Sequence, residues 1–156
     1  MRVRLIAVGT RPPGWVREAC EDYLRRLGAR LPVTVTEIAP GRRGAGTPPG
    51  RAVAQEGERV LAMLRDADHV IALDERGTEL STRELAAWLK TRMQEGEDLA
   101  FVIGGPDGLA PAVLARAARR LALSRLTLPH ALVRVLFLEQ LYRAHSLLAN
   151  HPYHRD

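Results

Sequence analysis

Phe101-Val102-Ile103-Gly104-Gly105-Pro106-Asp107-Gly108-Leu109 is the stretch on which the fold turns. An apolar run, Leu99 to Ile103, ends in three glycines within five residues, and helical periodicity resumes only at Pro111. The pattern predicts a buried strand, a tight turn and a helix start. Glycine permits φ > 0 and lets a flat ligand lie against the main chain, where a Cβ would collide. Turns at the carboxyl ends of strands are where open α/β sheets bind ligands. The spacing is neither G-x-G-x-x-G nor a P-loop. The turn taken alone reads equally as a ligand site or as a plain structural turn.

Upstream of it, Ser81-Thr82-Arg83-Glu84 is a capping box that opens a helix running to about Glu95, before Gly96. His69 to Leu73 is a continuous apolar run, predicted as a strand buried on both faces and ended by Asp74-Glu75-Arg76-Gly77. Arg51 to Leu64 predicts a helix, Val33 to Ile38 a strand, Trp15 to Leu27 a helix and Val3 to Val8 a strand closed by Gly9. Pro40 to Gly50, with four glycines, three prolines and the pair Arg42-Arg43, predicts a flexible loop or a functional arm suited to phosphate contacts.

Downstream, Pro111 to about Arg120 predicts a helix with proline in its first turn, and Leu121 to Leu123 a short strand. Ser124-Arg125-Leu126-Thr127-Leu128-Pro129-His130 then forms a loop able to offer main-chain groups to a ligand. Leu132 to Leu148 follows as a helix whose broad apolar face suits a dimer interface or a core contact. The strands and helices alternate throughout, which implies a largely parallel sheet flanked by helices in one domain, residues 1–156.

The 46% hydrophobic and 26% charged residues are those of an ordinary globular protein, and no run is long enough for a membrane span. A single cysteine, Cys20, excludes an internal disulfide framework and fits a reducing cytoplasm. The short apolar run after Met1-Arg2-Val3-Arg4 reads as a first strand rather than a signal peptide. Residues 1–107 balance 16 basic against 16 acidic side chains, so the whole net charge of +5 lies in residues 108–156. A basic end on a neutral body suits a polyanion partner, or arginine used as a surface residue in place of lysine. His151 and His154 lie near each other, but no cysteine or carboxylate cluster accompanies them, so no metal site is expected.

Together these segments carry a specific resemblance. Val8-Gly9-Thr10, Tyr23-Leu24-Arg25-Arg26, Gly41-Arg42-Arg43-Gly44, the Ile103-to-Leu109 turn, Leu126-Thr127-Leu128-Pro129-His130, Leu132-Val133-Arg134-Val135-Leu136 and the closing Asn150-His151-Pro152-Tyr153-His154-Arg155 resemble the RlmH family from end to end. Members of that family are minimal SPOUT-class methyltransferases. They transfer a methyl group from S-adenosylmethionine to N3 of the pseudouridine conventionally numbered 1915 in 23S ribosomal RNA. The resemblance implies an α/β fold of SPOUT type with a carboxyl-terminal trefoil knot, a homodimer, and no metal. It implies that Leu73, Gly104, Gly105, Ser124, Arg125, Leu126, Thr127, Leu128 and Pro129 hold the cofactor. His130, Tyr153, His154 and Arg155 are expected at the reacting base, and Arg4, Arg42, Arg43 and Arg134 on the RNA backbone. The small chain carries no separate RNA-binding domain, so an assembled ribosome is the expected target. A non-catalytic ribosome-binding or assembly factor is the alternative, and the glycine turn argues against it, since such a factor has no use for a sulfonium pocket.

Overall fold

The computed structural model describes residues 1–155. In chain order the elements are β1 (Val3–Val8), α1 (Gly14–Leu27), β2 (Val33–Ile38), α2 (Pro49–Met63), β3 (His69–Glu79), α3 (Thr82–Glu95), β4 (Leu99–Ile103), α4 (Pro111–Arg116), β5 (Arg119–Ala122) and α5 (His130–Leu148). The strands form one sheet in the order β2-β1-β4-β3-β5, and every ladder is parallel. A parallel sheet must be covered on both faces. Alternate residues therefore divide between two apolar layers. Leu5, Ile71, Phe101 and Ile103 meet Leu27 of α1, Leu85 and Leu89 of α3, and Phe137, Leu138 and Leu141 of α5. Ile6, Val8, Val70 and Val102 meet Val60 of α2 and Val113 of α4. All five residues of β4 are buried, as its unbroken apolar run predicts.

The capping box forms as read. Glu84 N–H donates to Ser81 Oγ at 3.1 Å, Ser81 N–H donates to the Glu84 carboxylate, and the helix ends at left-handed Gly96. The hydrogen bonds that its carboxylate accepts from Ser81, from the backbone N–H first and then from the side chain, hold the exposed Glu84 carboxyl below its usual range.

Several boundaries differ from the sequence reading. β3 does not stop at Leu73 but continues through Asp74-Glu75-Arg76-Gly77 to Glu79. Both Leu73 and Thr78 register opposite Leu121, so a bulge of four residues lies between them. Gly77 makes this possible: a Cβ there would stand 2.7 Å from backbone atoms of Arg120 and Leu121. Helix α4 stops at Arg116, because Ala118 N–H turns to the Val70 carbonyl and the chain enters β5 two residues early. Helix α5 begins at His130.

The loop after β2 is irregular, but its first part is held and is no free arm. Gly41 N–H donates to Glu56 Oε2 at 2.8 Å, Arg42 N–H to Gln55 Oε1 at 2.9 Å, and Arg59 Nη1 reaches the carbonyls of Ala39 and Pro40.

Phe101 and Phe137, both fully buried, stack at 4.4 Å between centroids and join the central strand to α5. Phe137→Ala is expected to cost about 3 to 5 kcal/mol through lost burial and a residual cavity. Chemical denaturation at fixed protein concentration measures it.

Candidate active site

Because all strands run the same way, every strand-to-helix loop opens at one rim. There, the ends of β3, β4 and β5 surround an open cleft of about 500 Å³. Its floor is apolar: Leu73, Ile103 and Leu121, each the end of a different strand or close to it. One wall is the turn Gly104 to Leu109, and the facing wall is Leu123, Ser124 and Leu126 to Leu128. His130 and Val133, from the first turn of α5, close a third side, and Asp74, Glu75 and Arg76 from the β3 bulge line a fourth.

Of the residues expected to hold a cofactor, Leu73, Gly104, Gly105, Ser124, Leu126, Thr127 and Leu128 line this space, whereas Arg125 and Pro129 share the loop without lining it. Sequence reading missed Asp74, Glu75, Arg76 and Arg120, because the bulge of β3 was read as a turn that leaves the sheet. The acidic pair straight after an apolar strand was the available signal.

The turn closes on itself. Gly108, at φ +80°, donates its N–H to the Gly105 carbonyl at 3.1 Å. A Cβ on Gly104 would lie 2.6 Å from the Gly108 carbonyl carbon, and one on Gly105 would lie 3.2 Å from Val8 Cγ1 and 3.4 Å from Glu56 Oε1. The two glycines are thus required first by the turn's own closure and by its seat on β1 and α2. Close approach of a ligand is not needed to explain them.

Beneath that seat, buried Glu56 accepts from Gly41 N–H and from Arg43 Nη1 at 2.7 Å, while Arg43 Nε donates to Asp107 Oδ2 at 3.0 Å. These contacts raise the Arg43 pKa, the hydrogen bond to Glu56 most of all. Arg43 therefore ties the loop after β2 to the glycine turn. Across the cleft, Ser124 Oγ accepts from Leu126 N–H at 2.9 Å and Thr127 Oγ1 donates to Glu75 Oε2 at 3.3 Å. Leu126 stays 73% exposed, an apolar cover with open cleft below it.

The other expected residues are dispersed. Arg42 is exposed beside the turn-binding Arg43. Arg4 lies in the amino half of β1, away from the rim, and its guanidinium is paired with buried Asp68 and the Met63 carbonyl. Arg134 is buried on Glu37 and Gly9. Neither is presented to a phosphate: Arg4 is paired with buried Asp68, and the Arg134 side chain is itself buried with its guanidinium on Glu37 and Gly9.

The tail is separated from the cleft of its own chain. Tyr153 donates its hydroxyl to Glu139 Oε1 at 3.2 Å, meets the Tyr142 ring edge-on at 4.5 Å, and lies under the Arg143 guanidinium at 4.8 Å. Those residues follow His130 on α5 by 9 to 13 positions, about 14 to 20 Å along the axis. His130 alone of the four expected catalytic residues borders the cleft. Burial, followed by hydrogen bonding to Tyr23 and the nearby Glu139 charge, pushes the Tyr153 phenol well above its ordinary range. Among the described residues, no three His, Cys, Asp or Glu side chains are grouped to hold a metal ion, and no helix is long and apolar enough to cross a membrane.

The sequence matches one family model over residues 1–154, described as "Predicted SPOUT methyltransferase". A protein of Alkalilimnicola ehrlichii named ribosomal RNA large subunit methyltransferase H is 54% identical over 155 residues, covering 99% of both chains. Its namesake from Thiobacillus denitrificans is 51% identical over the full length of both. Among solved structures, a "Probable Methyltransferase" from Bordetella pertussis Tohama I superposes with a TM-score of 0.58 at 21% identity, covering 92% of this chain and 93% of that one. A methylase family protein from Haemophilus influenzae gives 0.58 at 16% identity, covering 99% of this chain and 70% of that one. At these identities the two structures speak for the fold alone.

The raised Tyr153 pKa has a direct consequence. The chain holds three tyrosines. In an ultraviolet titration one phenol should remain protonated as pH rises past about 10, where an unperturbed tyrosine ionises. Tyr153→Phe should delete that late step. Because the unfolded chain ionises first, stability is held below about pH 10 and falls above it, and the substitution removes that part of the fall.

Proposed function

The chain belongs to the SPOUT methyltransferase family, and from that premise we propose that it methylates N3 of the pseudouridine numbered 1915 in 23S ribosomal RNA, as a single domain spanning residues 1–156. Its class of activity is methylation of large-subunit ribosomal RNA with S-adenosylmethionine as donor. The observation that carries the site assignment is the meeting of three strand-end segments around one cleft, with His130 on its edge.

The cleft fits the donor by size and chemistry. Its volume lies within the range of small-molecule sites, which are mainly apolar with a few fixed polar groups. Leu73, Ile103, Leu121 and Leu126 offer apolar surface for an adenine, and the loop Ser124 to Pro129 offers main-chain groups to its edge. Asp74 and Glu75 put negative charge beside a ligand that carries a sulfonium and an ammonium. When bound, S-adenosylmethionine supplies an electrophilic methyl group, and the protein's part is alignment and proton removal.

N3 of a pseudouridine must lose its proton to become a good nucleophile. The neutral Tyr153 phenol donates its one O–H to Glu139 and does not accept that proton, so His130 or His154 takes it in this scheme. A positive charge near the base favours its anionic form, the role we assign to Arg155. Tail and cleft lie apart within one chain, so we propose that a second copy docks on α5, beside the partly exposed Leu132, Val135 and Leu136, and brings its tail to the cleft. In the same reading the carboxyl-terminal segment threads as the SPOUT trefoil knot, the enzyme works in the cytoplasm, and an assembled ribosome presents the base. Of the four arginines expected on RNA, Arg42 and Arg43 are exposed, and Arg42 is the one not committed to a carboxylate among the described residues, so we assign it to a phosphate.

Two measurements test this reading. Calorimetry should show S-adenosylmethionine binding, and methylation of ribosomes should exceed that of free ribosomal RNA. Arg155→Ala should slow methylation about 100-fold while donor affinity stays within about twofold. Equal loss of both would remove Arg155 from the reacting base, and absence of donor binding would favour a non-catalytic ribosome-binding factor.

A further inference from the structure

Arg134 is buried while its carboxylate partner Glu37 lies at the surface, and burying a guanidinium carries a desolvation cost. Its geometry supplies a reason for its presence. Nη1 donates to Glu37 Oε2 at 2.8 Å, and Nη2 donates to the Gly9 carbonyl at 2.6 Å. Glu37 and Gly9 sit at the carboxyl ends of β2 and β1, which are joined there by Gly9 N–H to the Ile38 carbonyl at 2.8 Å. Nε has no hydrogen-bond partner among the described residues, so two of the three nitrogens hold the side chain.

Arg134 and His130 both border the space beside the Gly9 Cα. A Cβ on Gly9 would stand 3.2 Å from Arg134 Nη2 and 3.9 Å from both Cδ2 and Nε2 of His130. Gly9 also has φ +124°, a conformation that side chains resist. His130 and Arg134 are one turn apart on α5, hence on one helix face. A single guanidinium thus anchors the first turn of α5 to the β1–β2 side of the sheet. Of these elements only α5, through His130 and Val133, lines the cleft, whose other walls are the β3 bulge and the segments after β4 and β5.

We propose that Arg134 is a positioning residue for methyl transfer: by clamping Gly9 to Glu37, it seats the main chain of Gly9 against the His130 imidazole and fixes that ring at the cleft's edge. The proposal rests on the reading that His130 meets the target base. It removes Arg134 from the set of RNA contacts and gives it a role inside the fold. None of the clamp's own residues lines the cleft, so its loss acts on the transfer step through His130 and leaves donor binding in place.

The test uses full-length protein and ribosomes from cells that lack the modification. Donor affinity is measured by calorimetry and transfer by single-turnover methylation. Arg134→Met keeps the side-chain length and removes both hydrogen bonds. It should slow transfer about 100-fold with donor affinity within about twofold, the scale expected when a reacting group is displaced by about 1 Å. Arg134→Lys, which retains one donor, should recover part of the rate, and it carries the test if the methionine variant fails to fold. In a His130→Ala background neither Arg134 substitution should slow transfer further, because the clamp acts through that ring. Losses that multiply in the double variant would overturn the proposal, as would equal losses in donor affinity and rate. If His130→Ala alone transfers at the normal rate, the assignment of His130 to the base fails, and the clamp's route fails with it. If His130→Ala slows transfer and both Arg134 variants do not, only the clamp is refuted.

Discussion

The parallel hydrogen-bond ladder through β4 is the constraint on which the rest depends. β4 pairs with β1 on one side and β3 on the other, and all of its residues are buried. A strand so placed cannot be reached by hairpins; each parallel neighbour requires a helical return over one face of the sheet. Those returns supply the two apolar layers, with α1, α3 and α5 on one side and α2 and α4 on the other. They also send every carboxyl-end loop to the same rim. Segments far apart in sequence, near residues 74, 105 and 126, therefore meet without any local signal that they should.

The rim is stiffened by a small number of polar contacts set against buried partners. Glu56 is the clearest: one carboxylate holds Gly41, Arg43 and, through Arg43, Asp107 of the glycine turn. Removing its charge would leave several donors without a buried acceptor, which costs more than the bonds themselves contribute when made. Arg134 does the same for the β1–β2 side. The loops that a ligand must touch are thus held by groups behind the cleft, the arrangement that precise alignment of two reactants requires.

Much of this was legible in the sequence where one signal dominated. β1, β2 and β4 were read with their observed ends, and α3 with both its caps, because uninterrupted apolar runs and a capping box leave few alternatives. The end of β3 was misread since Asp74, Glu75, Arg76 and Gly77 are turn residues by composition; only tertiary contact with Arg120 and Leu121 keeps them in the sheet. The seven residues from Leu114 to Arg120 went to helix for the opposite reason, since alanine and arginine favour it, yet pairing with β3 claims the last two. Leu73, Gly105 and the loop after β5 were found as cofactor candidates by resemblance and as strand ends by pattern, whereas the facing side of the cleft, the acidic bulge, had neither support.

Charge was the least transferable signal, and the reason is physical. The formal excess of +5 in residues 108–156 suggests a basic surface, but a count does not say where a guanidinium points. Arg116 is turned onto the carbonyls of Arg65, Asp66 and Asp68, Arg134 onto Glu37 and Gly9, and Arg143 onto Glu139 beside the Tyr153 ring. Each holds part of the scaffold together. Arginine suits that task because its planar fork satisfies two acceptors at once and stays ionised when buried. Other arginines stay exposed at the functional segments: Arg42 and Arg43 in the loop after β2, Arg76 and Arg120 at the cleft, Arg125 in the loop after β5 and Arg155 in the tail. The tail, by contrast, is kept away from the cleft of its own chain, because Tyr153 is held by Glu139, Tyr142 and Arg143 farther along α5.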